Sequence, residues 1–148
     1  APGGHAFRTL AAQLEPWAVS LPAGECLADQ ALAAVRELLP TQADQALLHG
    51  DFHSANMLAD SREPWLVIDP APLVGEPAFD AASLLRDRGW PLTARSLRRR
   101  LDVLTAELGL DRERVRRWGI VQALWWGVSA DKAEEDLLDA ARVLCRSA

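Results

Sequence analysis

Three oxygen-bearing side chains stand out by type and spacing. Asp51 and Asn56 lie five residues apart in His49-Gly50-Asp51-Phe52-His53-Ser54-Ala55-Asn56, and Asp69 follows thirteen residues later in Val67-Ile68-Asp69-Pro70. Gly50 interrupts the apolar run Ala46-Leu47-Leu48, so Asp51 is expected on a loop. The short apolar runs 55–59 and 66–68 flank Asp60-Ser61-Arg62-Glu63-Pro64, which reads as the turn of a small hairpin. A hairpin returns the chain to where it started, so Asn56 and Asp69 can face one point. One carboxylate to orient a hydroxyl, with a second carboxylate and an amide oxygen to hold a hard divalent cation, is the set that phosphoryl transfer needs.

The alternation His49, Asp51, His53 allows a second chemistry. In an extended segment the three would share a face and could bind a transition metal, as in a metal-dependent hydrolase. Gly50, Asn56 and Asp69 speak for the first chemistry.

The elements that must position these residues are mostly helical. Phe7, Leu10, Ala11, Leu14, Trp17 and Ala18 recur at helical spacing, as do Leu27, Ala31, Ala34, Val35 and Leu38. The turn Pro22-Ala23-Gly24 separates these two helices, and Pro40 ends the second. The proline- and glycine-dense stretch 64–77 is expected to be a structured loop, with helices resuming after Asp80. Leu97, Leu101, Leu104 and Leu108 form one stripe closed by Gly109. Asp111 is expected to cap a helix running to about Ser129, along which Gly119, Ala123 and Gly127 would admit a close neighbour. Leu137, Ala140, Ala141 and Leu144 mark a last helix. The expected fold class is mainly α with a small β-hairpin region, α+β.

The chain has 148 residues, a net charge of −5 and 49% hydrophobic residues, which suits one domain with its own core. The acidic balance argues against nucleic acid. The run from Trp118 to Val128 is too short to span a membrane, and the N-terminus shows no signal peptide. Cys26 and Cys145 suggest no disulfide framework or metal knuckle, so a reduced, cytoplasmic protein is expected.

The stretch from His49 to Asp69 resembles the aminoglycoside phosphotransferase family, which shares the protein kinase-like fold. The resemblance is densest over 47–88. The continuation Asp69-Pro70-Ala71-Pro72-Leu73-Val74-Gly75-Glu76-Pro77-Ala78-Phe79-Asp80 is most similar to that family's streptomycin 6-kinase and hydroxyurea phosphotransferase branch. The resemblance implies Asp51 as catalytic base, Asn56 and Asp69 as magnesium ligands, His49 as a brace of the loop and Asp80 as an anchor of its backbone. The resemblance further implies ATP and Mg2+ as cofactors and ATP-dependent phosphorylation of a hydroxyl on an aminoglycoside-type antibiotic, streptomycin first, conferring resistance.

A kinase of this type also needs a nucleotide-covering loop and a phosphate-pairing lysine. The only lysine is Lys132, and no glycine-rich strand-turn-strand pattern precedes His49. Residues 1–148 are therefore expected to be the C-terminal catalytic lobe without the N-terminal nucleotide-binding lobe, and a non-catalytic remnant is the alternative. The acids Asp131, Glu134, Glu135, Asp136 and Asp139 read either as a surface for a cationic substrate or as a solvated helix start, with Glu134, Glu135 and Asp136 as the substrate-binding candidates. His53 is expected to bond within the loop, Trp125 and Trp126 to belong to the core, and the arginines at 98–100 and 112–117 to form solvated faces.

Overall fold

A computed structural model describes residues 7–42, 44–128 and 134–147. Among the described residues there are six α-helices: α1 (Leu10–Ser20), α2 (Cys26–Leu38), α3 (Pro77–Ser83), α4 (Ala94–Leu108), α5 (Arg112–Gly127) and α6 (Glu135–Cys145). Four short strands make two antiparallel pairs, giving an α+β fold that is mostly helical. β1 (Ala46–Leu48) pairs with β4 (Leu73–Gly75), and β2 (Met57–Leu58) pairs with β3 (Leu66–Val67).

Local chemistry accounts for most element ends. The Thr9 hydroxyl accepts the Ala12 N–H at 3.1 Å and starts α1, so Phe7 falls outside the helix to which its spacing had assigned it. Thr93 and Asp111 cap α4 and α5 in the same way. Gly109 ends α4 at φ +63°, a left-handed conformation that side chains with a Cβ resist.

α5 is buried on nearly all sides and is the axis of the molecule. A Cβ at Gly127 would lie 2.9 Å from Leu138 Cδ2, and one at Gly119 would lie 2.7 Å from Leu85 Cδ1 and 3.0 Å from Leu144 Cδ1. The small-residue stripe is therefore the surface on which α6 packs. On another side, Phe79 of α3 meets Trp118 edge-on, with ring centroids 5.4 Å apart and planes at 82°. That geometry adds about 1 kcal/mol to the burial of two large rings. α2 closes the core with Ala31, Ala34, Val35 and Leu38.

Two expectations need correction. Beyond the expected hairpin strand β3, the stretch 64–77 contains strand β4, and α3 begins at Pro77 rather than after Asp80. Short-range composition favoured a loop, but β4 finds its hydrogen bonds on β1, far away in sequence. The arginines at 98–100 and 112–117 are not simply solvated. Arg100 donates to the carbonyls of Leu84, Asp87 and Pro91. Arg114 forks onto the buried Glu76 with two 2.8 Å bonds, and Arg116 donates to the Leu144 carbonyl at 2.6 Å. Each finds unpaired backbone or carboxylate oxygens at an element end, which composition alone does not reveal.

Candidate active site

The loop 49–56 leaves β1, turns at Gly50 and enters β2. Gly50 has φ +80°, and a Cβ there would lie 1.9 Å from the Ala71 carbonyl oxygen. The loop can therefore lie against the segment after Asp69 only because residue 50 is glycine. Ala71 N–H completes that contact by donating to the His49 carbonyl at 2.8 Å.

Asp80 holds the start of the loop. Its carboxylate accepts the consecutive backbone N–H groups of His49 (2.6 Å) and Gly50 (2.9 Å). The His49 ring spans to the other strand. Nδ1 accepts the Asp51 N–H at 3.3 Å, so Nε2 carries the proton and donates to the Ile68 carbonyl at 2.9 Å. His49 thus ties the backbone of Asp51 to the residue before Asp69.

Asp51 points toward two cations or potential cations. Arg86 Nη2 donates to Asp51 Oδ1 at 2.5 Å, and His53 Nε2 lies 3.4 Å from Asp51 Oδ2. Burial, partly offset by the Asp51 bond, pushes the Arg86 guanidinium down from its usual value. The Asn56 amide donates through Nδ2 to the Asp51 carbonyl at 2.9 Å, with His53 Nε2 3.4 Å from the same nitrogen. The backbone carbonyl of Asn56 accepts the Ile68 N–H at 3.0 Å. The β2–β3 register, Met57 opposite Val67, continues to place Asn56 opposite Ile68 and next to Asp69. Asp69 adopts φ +55°, the one left-handed non-glycine residue among the described residues. Such a conformation in a non-glycine residue costs about 1 kcal/mol or more and persists where the surroundings hold it.

Asp51, Asn56 and Asp69 are therefore brought to one end of the hairpin. The donor set fits a hard cation. Asn56 spends its nitrogen on the Asp51 carbonyl, while its Oδ1 and the Asp69 carboxylate accept no hydrogen bond among the described residues. Two free oxygen ligands, one charged, are what a magnesium ion takes from protein while phosphates and water fill the rest.

The hydrolase geometry is not formed. Gly50 breaks the extended run, and both ring nitrogens of His49 are occupied. Among the described residues no group of three His, Cys, Asp or Glu side chains is placed to hold a metal.

Two residues escaped the sequence reading. Arg86 grips Asp51, and Asp87 grips the far part of the loop: its carboxylate accepts Ser54 N–H (2.6 Å), Ser54 Oγ–H (2.9 Å) and Gly89 N–H (2.7 Å). Burial pushes the Asp87 carboxyl up, but the Gly89 and Ser54 bonds outweigh it and hold the group below the ordinary carboxylate range. A signal existed for Arg86. Gln122 is a polar residue in the otherwise apolar run 118–128, and a buried amide demands partners. Its partners are Ser83, Arg86 and the Phe79 carbonyl.

A cavity of about 570 Å3 opens beside the loop, lined by His53, Ser54, Arg86, Asp87, Trp126 and Glu134 among others. Trp126 is 39% exposed and lies under the Arg86 guanidinium at 4.5 Å, so it is a wall of this cavity and not the core residue expected. The C-terminal acids divide. Glu134 and Asp136 both bind Arg88, at 2.9 and 2.6 Å, at the cavity's edge. Glu135 pairs with Arg142 and does not line the cavity. Asp139 also pairs with Arg142, and Asp131 lies outside the described residues.

The helical α+β scaffold presents a histidine-braced aspartate beside an asparagine and a second aspartate, and comparison with known proteins gives the family. Residues 4–136 match the family model for aminoglycoside/hydroxyurea antibiotic resistance kinases. The chain belongs to that family. It is 40% identical over 127 residues to the streptomycin 6-kinase of Streptomyces glaucescens, an alignment covering 80% of this chain and 41% of that protein. It is 46% identical over 98 residues to the streptomycin 6-kinase of Streptomyces griseus (62% of this chain, 31% of that protein). It is 43% identical over 105 residues to the hydroxyurea phosphotransferase of Kitasatospora aureofaciens (65% and 28%). The chain thus spans less than half the length of the curated relatives it matches. No helix among the described residues is long and apolar enough to cross a membrane.

Proposed function

We propose that these residues form the C-terminal catalytic lobe of a protein kinase-like phosphotransferase that moves the γ-phosphoryl group of ATP to a hydroxyl of an aminoglycoside-type antibiotic, streptomycin first. The observation that carries this reading is the joint placement of Asp51, Asn56 and Asp69 at one end of the hairpin, with the partners of Asp51, Arg86 and His53, lining an open cavity of about 570 Å3. The names of the relatives support the substrate class.

Asp51 orients the acceptor hydroxyl and takes its proton. Asn56 Oδ1 and the Asp69 carboxylate would hold magnesium, which would supply charge neutralisation on the nucleotide phosphates. His49 and Asp80 fix the backbone that carries Asp51. Glu134 and Asp136 give the cavity's edge an acidic side on which a cationic acceptor can settle, in exchange with Arg88.

The test is to join these residues to the N-terminal lobe of a related streptomycin 6-kinase, to incubate the fusion with Mg-ATP and streptomycin, and to look for the phosphorylated drug by mass spectrometry, with Asp51→Asn in the same fusion alongside. Product from the parent and none from the variant is expected. Equal product from both would remove Asp51 from its role and the reading with it.

A further inference from the structure

Arg86 is a costly residue to place where it stands. Its side chain is 9% exposed, and a guanidinium taken out of water must be matched by charge and hydrogen bonds to persist. Three groups match it. Nε donates to Gln122 Oε1 at 3.0 Å, Nη2 donates to Asp51 Oδ1 at 2.5 Å, and the guanidinium carbon sits 4.5 Å from the centre of the Trp126 ring.

Two of these belong to α5, not to the loop. Gln122 is 1% exposed and is itself locked, since its Oε1 accepts the Ser83 hydroxyl at 2.9 Å and its Nε2 donates to the Phe79 carbonyl. The position of the guanidinium is thereby set by the helical core, and Asp51 docks onto it. A planar fork can satisfy Gln122 and Asp51 together, whereas a lysine ammonium on its flexible stem is a point charge that lacks that geometry.

We propose that Arg86 is a positioning residue for the catalytic carboxylate: by engaging Oδ1 of Asp51 it leaves Oδ2 as the oxygen presented to the acceptor hydroxyl. The inference rests on the phosphotransferase reading above. Phosphoryl transfer asks little covalent work of the protein and much alignment, so a freely rotating carboxylate forfeits rate while leaving substrate binding largely intact. His53 Nε2, 3.4 Å from Oδ2, flanks the oxygen that remains.

The experiment compares Arg86→Lys and Arg86→Ala with the parent, each joined to the N-terminal lobe of a related streptomycin 6-kinase, by steady-state kinetics on Mg-ATP and streptomycin. The expected loss is in kcat, about tenfold for Arg86→Lys and about a hundredfold for Arg86→Ala, with KM for each substrate within about twofold. Millimolar methylguanidinium should restore part of the kcat of Arg86→Ala by refilling the slot over Trp126. Parental kcat in Arg86→Lys, or a loss expressed only in KM, overturns the proposal.

A second measurement needs no turnover. In arginine side-chain NMR of the parent, the Arg86 Nη–H protons should exchange slowly with water and lose that protection in Asp51→Asn. Arg86 signals indifferent to Asp51→Asn would overturn the proposal whatever the kinetics. A parent that phosphorylates nothing counts against the phosphotransferase reading, and the NMR arm then decides the clamp alone.

Discussion

Gly50→Ala should do more damage than any other single methyl group added to this chain. Two costs fall together at this position. The first is conformational: at φ +80° an alanine is disfavoured relative to glycine by about 1 kcal/mol. The second is steric. The new Cβ would sit 1.9 Å from the Ala71 carbonyl oxygen and 2.9 Å from its carbon, so the backbone must part by about 1 Å or more before the contact is tolerable. That movement breaks the 2.8 Å bond from Ala71 N–H to the His49 carbonyl and disturbs both bonds to Asp80. Losing one neutral and weakening two charge-assisted hydrogen bonds adds about 2–3 kcal/mol. The whole loss is therefore about 3–4 kcal/mol in a chain whose total stability is on the order of 10 kcal/mol. Gly109→Ala is the control, because φ there is +63° but no atom lies within 4 Å of the added carbon. It should cost only the conformational part, about 1 kcal/mol. Urea denaturation of parent and both variants, with unchanged slopes, gives the two numbers directly. Catalysis should fall about a hundredfold in Gly50→Ala, since a shift of about 1 Å misplaces Asp51 relative to the hairpin end. Equal losses in the two variants would refute the reasoning, because the close approach to Ala71 would then carry no cost.

Three further expectations are open to direct measurement. Asp80→Ala strips the His49 and Gly50 N–H groups of a shared charged acceptor and should cost about 3 kcal/mol in a thermal or urea melt, with parental stability as the contrary result. Asp87 has a carboxyl held below its ordinary value, so its contribution to stability is full above its unfolded pKa near 4 and fades as pH falls through the lower folded value. The stability gap between the parent and Asp87→Asn should accordingly shrink as urea melts are taken from about pH 6 to below about pH 4, and a gap that does not change would contradict the bonds to Ser54 and Gly89. Asp69→Asn removes the one charged ligand of the pair left for a cation and should raise the magnesium concentration needed for half-maximal rate at least tenfold; an unchanged magnesium dependence would free Asp69 from that role.

The parts of this molecule that sequence discloses are those decided by neighbours in the chain. The leucines of α4 and the Gly109 and Asp111 caps follow from helical period and end chemistry, and the structure places them accordingly. The hairpin was legible because its turn and both strands lie within one short span. β4 was not, because its ladder is supplied by β1 and its own residues are a proline- and glycine-rich stretch that favours turns. Arg86 and Asp87 were hidden for a related reason. Two charged residues closing an apolar run look like a solvated helix end, and only the return of the chain against α5 buries both and turns them toward the loop. The arginines at 114 and 116 were misjudged on the same ground: charge on a helix reads as surface until Glu76 and the Leu144 carbonyl are brought to it.

What those hidden residues do explains how a loop rich in polar groups can be held firmly. Residues 80–87 contact it at three points in order: Asp80 at the backbone of 49 and 50, Arg86 at the carboxylate of 51, Asp87 at the backbone and hydroxyl of 54. Each contact pairs a charge with donors or acceptors that would otherwise lie unpaired beside a partly buried loop. The eight-residue segment is itself tied down, at one end by the Phe79 carbonyl on Gln122 and at the other by Arg100 on the Leu84 and Asp87 carbonyls. The loop thus takes its shape from a template rooted in α4 and α5 and not from its own sequence preferences. Substitutions at Arg100 should therefore reach Ser54 and Asp51 through this segment, although Arg100 touches neither. Arg100→Met should weaken slow-exchange protection of the Ser54 amide while leaving the hairpin amides at Ile68 and Val67 protected. Equal loss of protection at both places would mean that the loop and the hairpin open as one unit and that residues 80–87 are not a separate template.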